Sequence, residues 1–579
     1  MCGRNGVFRS LGALLVVIIL VQSSTLLLAE DGDAPADPFG PPEGPIPFPI
    51  YNVSGSYEED RFPYVYSDES SIRVLWNKGA REMFVYHVVQ REFDGETWQE
   101  GEDWVSVIDT KDQDFIAHEH YSHEGMAVRY DDKVYFVFAS DDQNYTTGTD
   151  HDIAIRWYDP AREEWGPITE VTPNDEGQDR EPRAVVHDGK LVIAWRTNDP
   201  KKAPGDADDI VLRTYDGAAF SAIVPVSIDE VDTMDSRLDL AVVAGNVSIV
   251  WEWNNRTDNP SDWDVLYREW NGTGFTARPV TLAPDPRRVS KLPRITSLDG
   301  SPFVVWESRP PTGQPGPVRI RGCTVVNGIP GELVEVTSSS SSAENVQPDV
   351  VSVGGKAYIL WSSFDDSLTH GPDSDIVMRQ YDGHVLGDVI EVSHPRDGPE
   401  VNEGFVTACI FQDNLYAVWR MMYPVDPGLP LDVPVNEDIV MRRVTDYRVD
   451  MEIPLEENPR VGDTIPIEIN STTFYGRGVN GQDLGLEIVV KRGSEVLSGS
   501  VTMEVIYTDG LIEASYEPEK KGSYTFLVLM DGREMASESL TVHGTSTGDD
   551  EGISVYIYYT LGALVLLAIA LVIGLKRRD

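Results

Sequence analysis

Asp375-Ile-Val-Met-Arg-Gln-Tyr-Asp-Gly383 is written more than once in this chain. Near-copies run from Asp152 to Pro160, Asp209 to Gly217, Asp264 to Gly272 and Asp438 to Asp446. Two looser copies start at His87, which keeps Arg91 and Asp94-Gly95, and at Pro317, which keeps Arg321. Successive starts are 65, 57, 55, 53, 58 and 63 residues apart. Ahead of each copy stands a short alternating run ending in an aromatic: Trp76, Phe138, Trp195, Trp251, Trp306, Trp361 or Trp419. Two signatures interleaved in strict order mark an internal repeat.

Each unit reads as short strands split by Gly-Gly and Asp-Gly turns, with no helical periodicity. Four antiparallel strands per unit predict an all-β chain built as a β-propeller, whose sheets bury both faces by stacking in a closed ring. The expectation is seven blades over residues 51–447, with six or eight as the alternatives. A strand near Phe48–Tyr51 is placed to complete the last blade. Along a strand Asp375, Val377, Arg379 and Tyr381 share one face. Because the arginine recurs in every unit (Arg156, Arg213, Arg268, Arg321, Arg379, Arg442), it is read as serving stacking and hairpin closure rather than an anion site.

The unit resembles those of sialidase-type and related propellers in secreted prokaryotic proteins, archaeal ones included. The turns at Arg91–Trp98, Arg213–Phe220 and Arg268–Phe275 stand where that family has its Asp box, but Asp and Gly are adjacent here, so the box is not matched. The resemblance implies a fold; the family's three arginines, Tyr–Glu pair and acid Asp are not assignable to positions in this sequence.

The chain ends suggest export. Residues 1–29 read as a signal peptide, or an uncleaved anchor, with Arg4 and Arg9 ahead of an apolar run. A Pro-rich linker follows over 30–50. Residues 448–543 alternate in the manner of a β-sandwich, resembling the Ig-like stalk modules of prokaryotic surface proteins. An acidic linker spans 544–553. Residues 554–575 carry no charge and are long enough to cross a bilayer as a helix. The basic residues of the tail, 576–579, orient that helix with its tail in the cytoplasm. The reading is a single-pass cell-membrane protein with an extracellular ectodomain.

Composition sets further limits. The net charge of -49, from 96 acidic and 47 basic residues, excludes nucleic acid as a partner. With 41% hydrophobic residues and 13 Trp, the chain has material for a large core. Cys323 and Cys409, in different units and within apolar runs, read as buried free thiols rather than a disulfide. Sequons at Asn52, Asn144, Asn246, Asn255, Asn271 and Asn470 agree with export.

Chemistry is expected on the loops and strand starts at one face of the ring. Glu181, Arg183, Arg237, Asp239, Arg294, Asp349 and Glu403 occupy matching places and are the candidate ligand-binding residues at the mouth. His118, His120, His123 and Glu124 are a candidate metal cluster, since imidazole and carboxylate suit zinc-like ions. The acidic runs at Asp206–Asp209, Gly371–Asp375 and Thr147–Asp152 could take Ca2+ through carboxylate oxygens; no cofactor is otherwise indicated. The sequence has no G-x-S-x-G elbow, H-E-x-x-H, phosphate loop or dinucleotide fingerprint. Two functions remain: a membrane-anchored surface protein that binds a glycan or protein, or serves envelope structure, and a surface glycoside hydrolase of sialidase-like type.

Overall fold

The computed structural model describes residues 50–54, 59–80, 85–106, 122–141, 150–172, 177–202, 208–228, 233–255, 263–282, 285, 287–311, 314–338, 342–365, 373–393, 401–424, 435–455, 457–479, 484–497, 501–502, 510–530 and 533–544. Every regular element among them is a β-strand. No helix among the described residues is long and apolar enough to cross a membrane, and segments 1–29 and 554–575 lie outside them. The chain divides into two compact units between Asp446 and Tyr447.

The first unit is propeller-like, a succession of antiparallel sheets. Its inner strands are Glu59–Ser67, Ser122–Tyr130, Asp179–His187, Thr233–Val243, Val289–Leu298, Asn345–Val353 and Asn402–Phe411. Each packs against the next, and the last returns to the first. The aromatic-ended runs form the second strand of each sheet, and the repeated nonapeptide forms the third. Trp76, Trp195, Trp251, Trp306, Trp361 and Trp419 are all fully buried. In four sheets the indole N–H donates to an Asp or Asn sixteen residues earlier on the inner strand: Trp76 to Asp60, Trp195 to Asp179, Trp251 to Asp235 and Trp361 to Asn345.

The outer strand of a sheet ends in an apolar residue and a Ser or Thr. In the third sheet the N–H groups of Val226 and Ser227 both donate to Ile210 O, and Ser227 Oγ accepts from Ile210 N. The sixth repeats this with Val392, Ser393 and Ile376. In the last sheet the outer position is filled from the other end of the ring. Tyr51–Asn52 pairs antiparallel with Val435–Arg443, and Val53 and Ser54 make the same bonds to Ile439. The N-terminal strand therefore completes the last sheet. A single parallel pairing, Glu59 with Glu437, joins that sheet to the first.

The repeated arginine explains how neighbouring sheets adhere. Arg268 Nε donates to Ala277 O of its own outer segment, and its Nη1 donates to Val226 O of the sheet before. Arg213 reaches Ser221 O and Val171 O in the same way, Arg379 Gly387 O and Val336 O, and Arg91 Gln99 O and Val53 O. Burial pulls the pKa of Arg213, Arg268, Arg379 and Arg442 downward, but a guanidinium remains charged throughout the working range. An aromatic lies against several: Arg213 over Phe220 at 4.9 Å and Arg268 over Phe275 at 3.8 Å. Arg321 is different, pairing with Glu335 of its own sheet at 2.7 Å. The repeated Asp closes its own sheet, with Asp152 Oδ1 accepting from Thr172 Oγ1 and Asp375 Oδ1 from Ser393 Oγ.

In the second unit, one sheet holds Arg448–Glu452, Ile465–Thr472, Leu511–Tyr516 and Val501–Thr502. The other holds Glu495–Val496, Leu486–Arg492, Gly522–Met530 and Arg533–Val542. Ile465, Ile467 and Ile469 of one share a core with Tyr524, Phe526 and Val528 of the other, making a two-layer sandwich. Cys323 and Cys409, both in the first unit, are free and buried, and burial pushes each thiol up to about 12.

Two stability outcomes follow from this bonding. Arg268→Ala strands carbonyls of two sheets and should cost about 2–3 kcal/mol, against under about 1 kcal/mol for Arg321→Ala; paired urea unfolding curves check the ordering. Trp306 Nε1 is buried with no partner, and the place sixteen residues earlier holds Ser290. Ser290→Asn should supply the missing acceptor and raise stability by about 1 kcal/mol; an unchanged or lower unfolding midpoint would show that the serine site cannot orient the amide.

Candidate ligand site at the channel mouth

Among the described residues the inner strands are bulged at the same place, between Arg61 and Tyr64, His123 and Met126, Arg180 and Arg183, Ser236 and Asp239, Lys291 and Arg294, Val346 and Asp349, and Gly404 and Thr407. At each, two residues oppose one on the partner strand, which re-aims the side chains. In six of them the first bulge residue is a non-glycine in the left-handed region: Phe62 (φ 51), Glu181 (φ 55), Arg237 (φ 50), Leu292 (φ 51), Gln347 (φ 56) and Phe405 (φ 56). Such a residue costs roughly 1–2 kcal/mol and persists only where its surroundings enforce it.

Those surroundings can be named. The N–H of Arg237 donates to Glu181 Oε2 at 2.6 Å, that of Leu292 to Glu252 Oε1 at 2.7 Å, that of Gln347 to Glu307 Oε1 at 2.6 Å, and that of Phe405 to Gln347 Oε1 at 2.7 Å. These four bulges are thus held by a side chain of the preceding sheet. Burial raises the carboxyl pKa of Glu252 and Glu307.

Inside the ring of bulges lies a cavity of ≈ 470 Å3. Its polar wall carries Glu181, Arg183, Arg237, Asp239, Arg294 and Asp349, and Phe62, Tyr64 and Phe405 stand on the side of the first and last sheets. Opposite charges face each other loosely: Arg183 Nε to Asp239 Oδ1 at 3.8 Å, Arg294 Nε to Asp349 Oδ1 at 3.6 Å, and Arg237 Nε to Glu181 Oε1 at 3.8 Å. Arg196 approaches Glu181 Oε1 more closely, at 3.2 Å. Asp239 Oδ2 and Asp349 Oδ2 also accept the N–H groups of Ile295 and Ala408 from the following sheets. Asp349 is only 13% exposed at its side chain, and burial pushes its carboxyl up to about 6 despite Arg294. Burial likewise raises the phenol of Tyr64, which feels Arg183, Asp239 and Asp349. Phe62 and Phe405 meet edge to face at 5.3 Å, and Arg420 lies 4.4 Å over Phe405.

Six of the seven mouth residues singled out from the sequence line this cavity. Glu403 does not: it is buried two residues ahead of Phe405, with its N–H on Ser374 Oγ and its carbonyl on Ser362 Oγ. Among the metal candidates, His118 and His120 lie outside the described residues, while His123 and Glu124 fall on the strand Ser122–Tyr130, His123 bordering its bulge and Glu124 within it. No group of three or more His, Cys, Asp or Glu among the described residues is arranged to hold a metal ion. Phe62, Tyr64, Gln347 and Phe405 escaped the sequence reading. Part of the signal was available, since Pro63 and Pro348 follow Phe62 and Gln347 as Pro182 and Pro293 follow Glu181 and Leu292, but Phe405 is followed by Val406.

No protein-family model matches the sequence, and no curated protein matches it. Solved structures similar in fold include a polysaccharide lyase, 10% identical, with 71% of this chain and 95% of that chain covered and a TM-score of 0.43. A Trypanosoma rangeli sialidase bound to the inhibitor DANA is 10% identical, with 83% and 84% covered and a TM-score of 0.39. An endo-arabinase from Bacteroides thetaiotaomicron is 12% identical, with 56% and 94% covered and a TM-score of 0.29. At these values no residue of the cavity is matched to a residue of theirs.

The raised Asp349 carboxyl makes a pH-dependent prediction. A folded pKa above the unfolded one contributes stability that is complete below about pH 4 and lost as pH rises through about 6. Asp349→Asn keeps an oxygen for the Ala408 N–H and removes the titration. The loss of unfolding free energy between about pH 5 and about pH 8 should therefore shrink by roughly 1–2 kcal/mol. Urea unfolding at both pH values checks this, and an unchanged profile would mean the carboxyl titrates normally.

Proposed function

We propose that this chain is a cell-surface protein whose seven-bladed β-propeller binds a glycan at the channel mouth. In this reading residues 51–447 form the propeller, 448–543 an Ig-like stalk, and 554–575 the membrane helix that holds the ectodomain outside the cell. The signal-like start, the uncharged 22-residue run and the basic tail support the anchoring.

One observation carries the ligand class: arginines, carboxylates, a phenol and two phenylalanines converge on a single cavity of ≈ 470 Å3. Sugar hydroxyls both donate and accept, which suits a wall of Arg237, Arg294, Glu181 and Asp239. The apolar face of a sugar ring suits Phe62, which is 37% exposed. Three arginines against three carboxylates leave the wall balanced in charge, favouring a neutral ligand over a polyanion. The volume is in the usual range for a small-ligand site, about 300–1,000 Å3.

Asp349 favours a second reading, a glycoside hydrolase of sialidase-like type, because a carboxyl near 6 can act as a general acid at neutral pH. That chemistry also needs a free carboxylate as nucleophile or base. Glu181 and Asp239 instead face arginines, at 3.2 Å and 3.8 Å.

A glycan array followed by calorimetry tests the binding reading. Arg237→Ala and Phe62→Ala should each weaken the best glycan at least about tenfold, roughly 1.4 kcal/mol, without unfolding the protein. Affinity untouched by both, or absent for every glycan, overturns it. Turnover of a glycoside panel that vanishes in Asp349→Asn would install the hydrolase reading instead.

A further inference from the structure

The tight turn between third and outer strands is built on one device. Asp94 Oδ1 accepts the N–H groups of Glu96 and Thr97, Asp216 Oδ1 those of Ala218 and Ala219, and Asp382 Oδ1 those of His384 and Val385. These bonds favour the ionised side chain: the turn N–H groups hold Asp94 and Asp216 below the usual carboxylate range. The fourth sheet keeps the turn but replaces the aspartate with Asn271, followed by Gly272 and Thr273. Asn271 Oδ1 accepts from Thr273 N at 3.1 Å and Gly274 N at 3.0 Å, so the amide does the structural work of the carboxylate with a weaker, uncharged acceptor. The turn gains nothing from asparagine.

What asparagine adds is a nitrogen. Its oxygen is further engaged by Thr273 Oγ1 at 2.9 Å, which joins the amide and the hydroxyl of the sequon Asn271-Gly272-Thr273. The residue is exposed at the tip of the turn, on a side chain whose oxygen already satisfies the backbone. Asn52 is exposed as well, but there the nitrogen itself is engaged. Its Nδ2 donates to Asp438 Oδ2 at 3.0 Å, within the strand that completes the last sheet, and Asp438 is buried.

From this contrast we infer that Asn271 is an N-glycosylation site, used in preference to Asn52. The inference rests on the export reading above. The bond formed joins Nδ2 to the anomeric carbon of an oligosaccharide carried on a polyprenyl phosphate or pyrophosphate. The bond broken is that carbon's bond to the phosphate oxygen, the lipid phosphate leaves, and Nδ2 loses one proton; nothing is oxidised or reduced. The product leaves Oδ1 free to keep its turn bonds.

The test is expression of the full chain in a host that exports and N-glycosylates, with external protease to establish location and peptide mass spectrometry at each sequon. The expected result is saccharide on the Asn271 peptide in most copies and little or none on the Asn52 peptide. N271D and Thr273→Ala should each remove one saccharide's mass. N271D should keep the unfolding midpoint, because aspartate is what the sister turns use. An exported chain whose Asn271 peptide is bare, or merely deamidated, overturns the inference while leaving export intact. Saccharide on Asn52 at equal occupancy overturns the preference. A chain shielded from protease and bare at every sequon refutes both readings.

Discussion

The first unit depends on a guanidinium that bridges two carbonyls belonging to different sheets. Neighbouring sheets of such a ring share no continuous ladder, so side-chain packing alone would leave their angle and height loosely set. Arg268, with one nitrogen on its own outer segment and another on Val226 of the sheet before, ties both at once. A charged donor on a neutral backbone acceptor is stronger than an ordinary amide bond and introduces no second charge to desolvate. The carbonyl is available because the N–H groups of Val226 and Ser227 already turn inward to Ile210. At the seam the same bond runs from Arg91 to Val53, so the ring is clasped by its N-terminal strand with the contact used elsewhere.

The mouth is where that regularity is put to use. Bulges repeated at the same place would be redundant if they only relieved curvature, since a sheet can twist without them. Six left-handed non-glycine residues imply a cost accepted for what their side chains do. The bonds from Glu181, Glu252, Glu307 and Gln347 link successive sheets around the opening. A rigid frame therefore presents groups that differ from unit to unit: phenyl at Phe62 and Phe405, carboxylate at Glu181, guanidinium at Arg237, amide at Gln347. Repetition supplies the frame, and variation within it supplies the chemistry.

The junction between the fourth and fifth sheets shows how far the pattern can lapse. Leu282 stands where other sheets have valine, Arg321 turns to Glu335, and Trp306 has no acceptor. Here Arg288, just ahead of the strand Val289–Leu298, ties its own sheet instead: its Nε bonds Ser308 Oγ and its Nη2 the carbonyls of Ser308 and Pro317. Leu292 of this sheet still carries its bulge, held by Glu252. The mouth is kept even where the stacking device changes.

The amino-acid sequence by itself determined the strand order within a unit, the turns, the buried tryptophans and the two-sheet alternation of residues 448–543. These depend on neighbours a few residues apart, which periodicity and Asp-Gly signals report directly. It also announced that Arg213 and its counterparts serve the stacking of sheets, which they do everywhere but at Arg321. What it could not reveal was their partners, because a carbonyl acceptor has no residue identity and Val171 lies 42 residues from Arg213. The cavity was half legible: Glu181, Arg183, Arg237, Asp239, Arg294 and Asp349 stood out by charge, whereas Phe62, Phe405 and Gln347 looked like ordinary strand residues. Only the tertiary structure decided that they face inward, because a one-residue bulge reverses which side of a strand a residue occupies. The same bulge removed Glu403 from the opening, two positions short of the residue that reaches it.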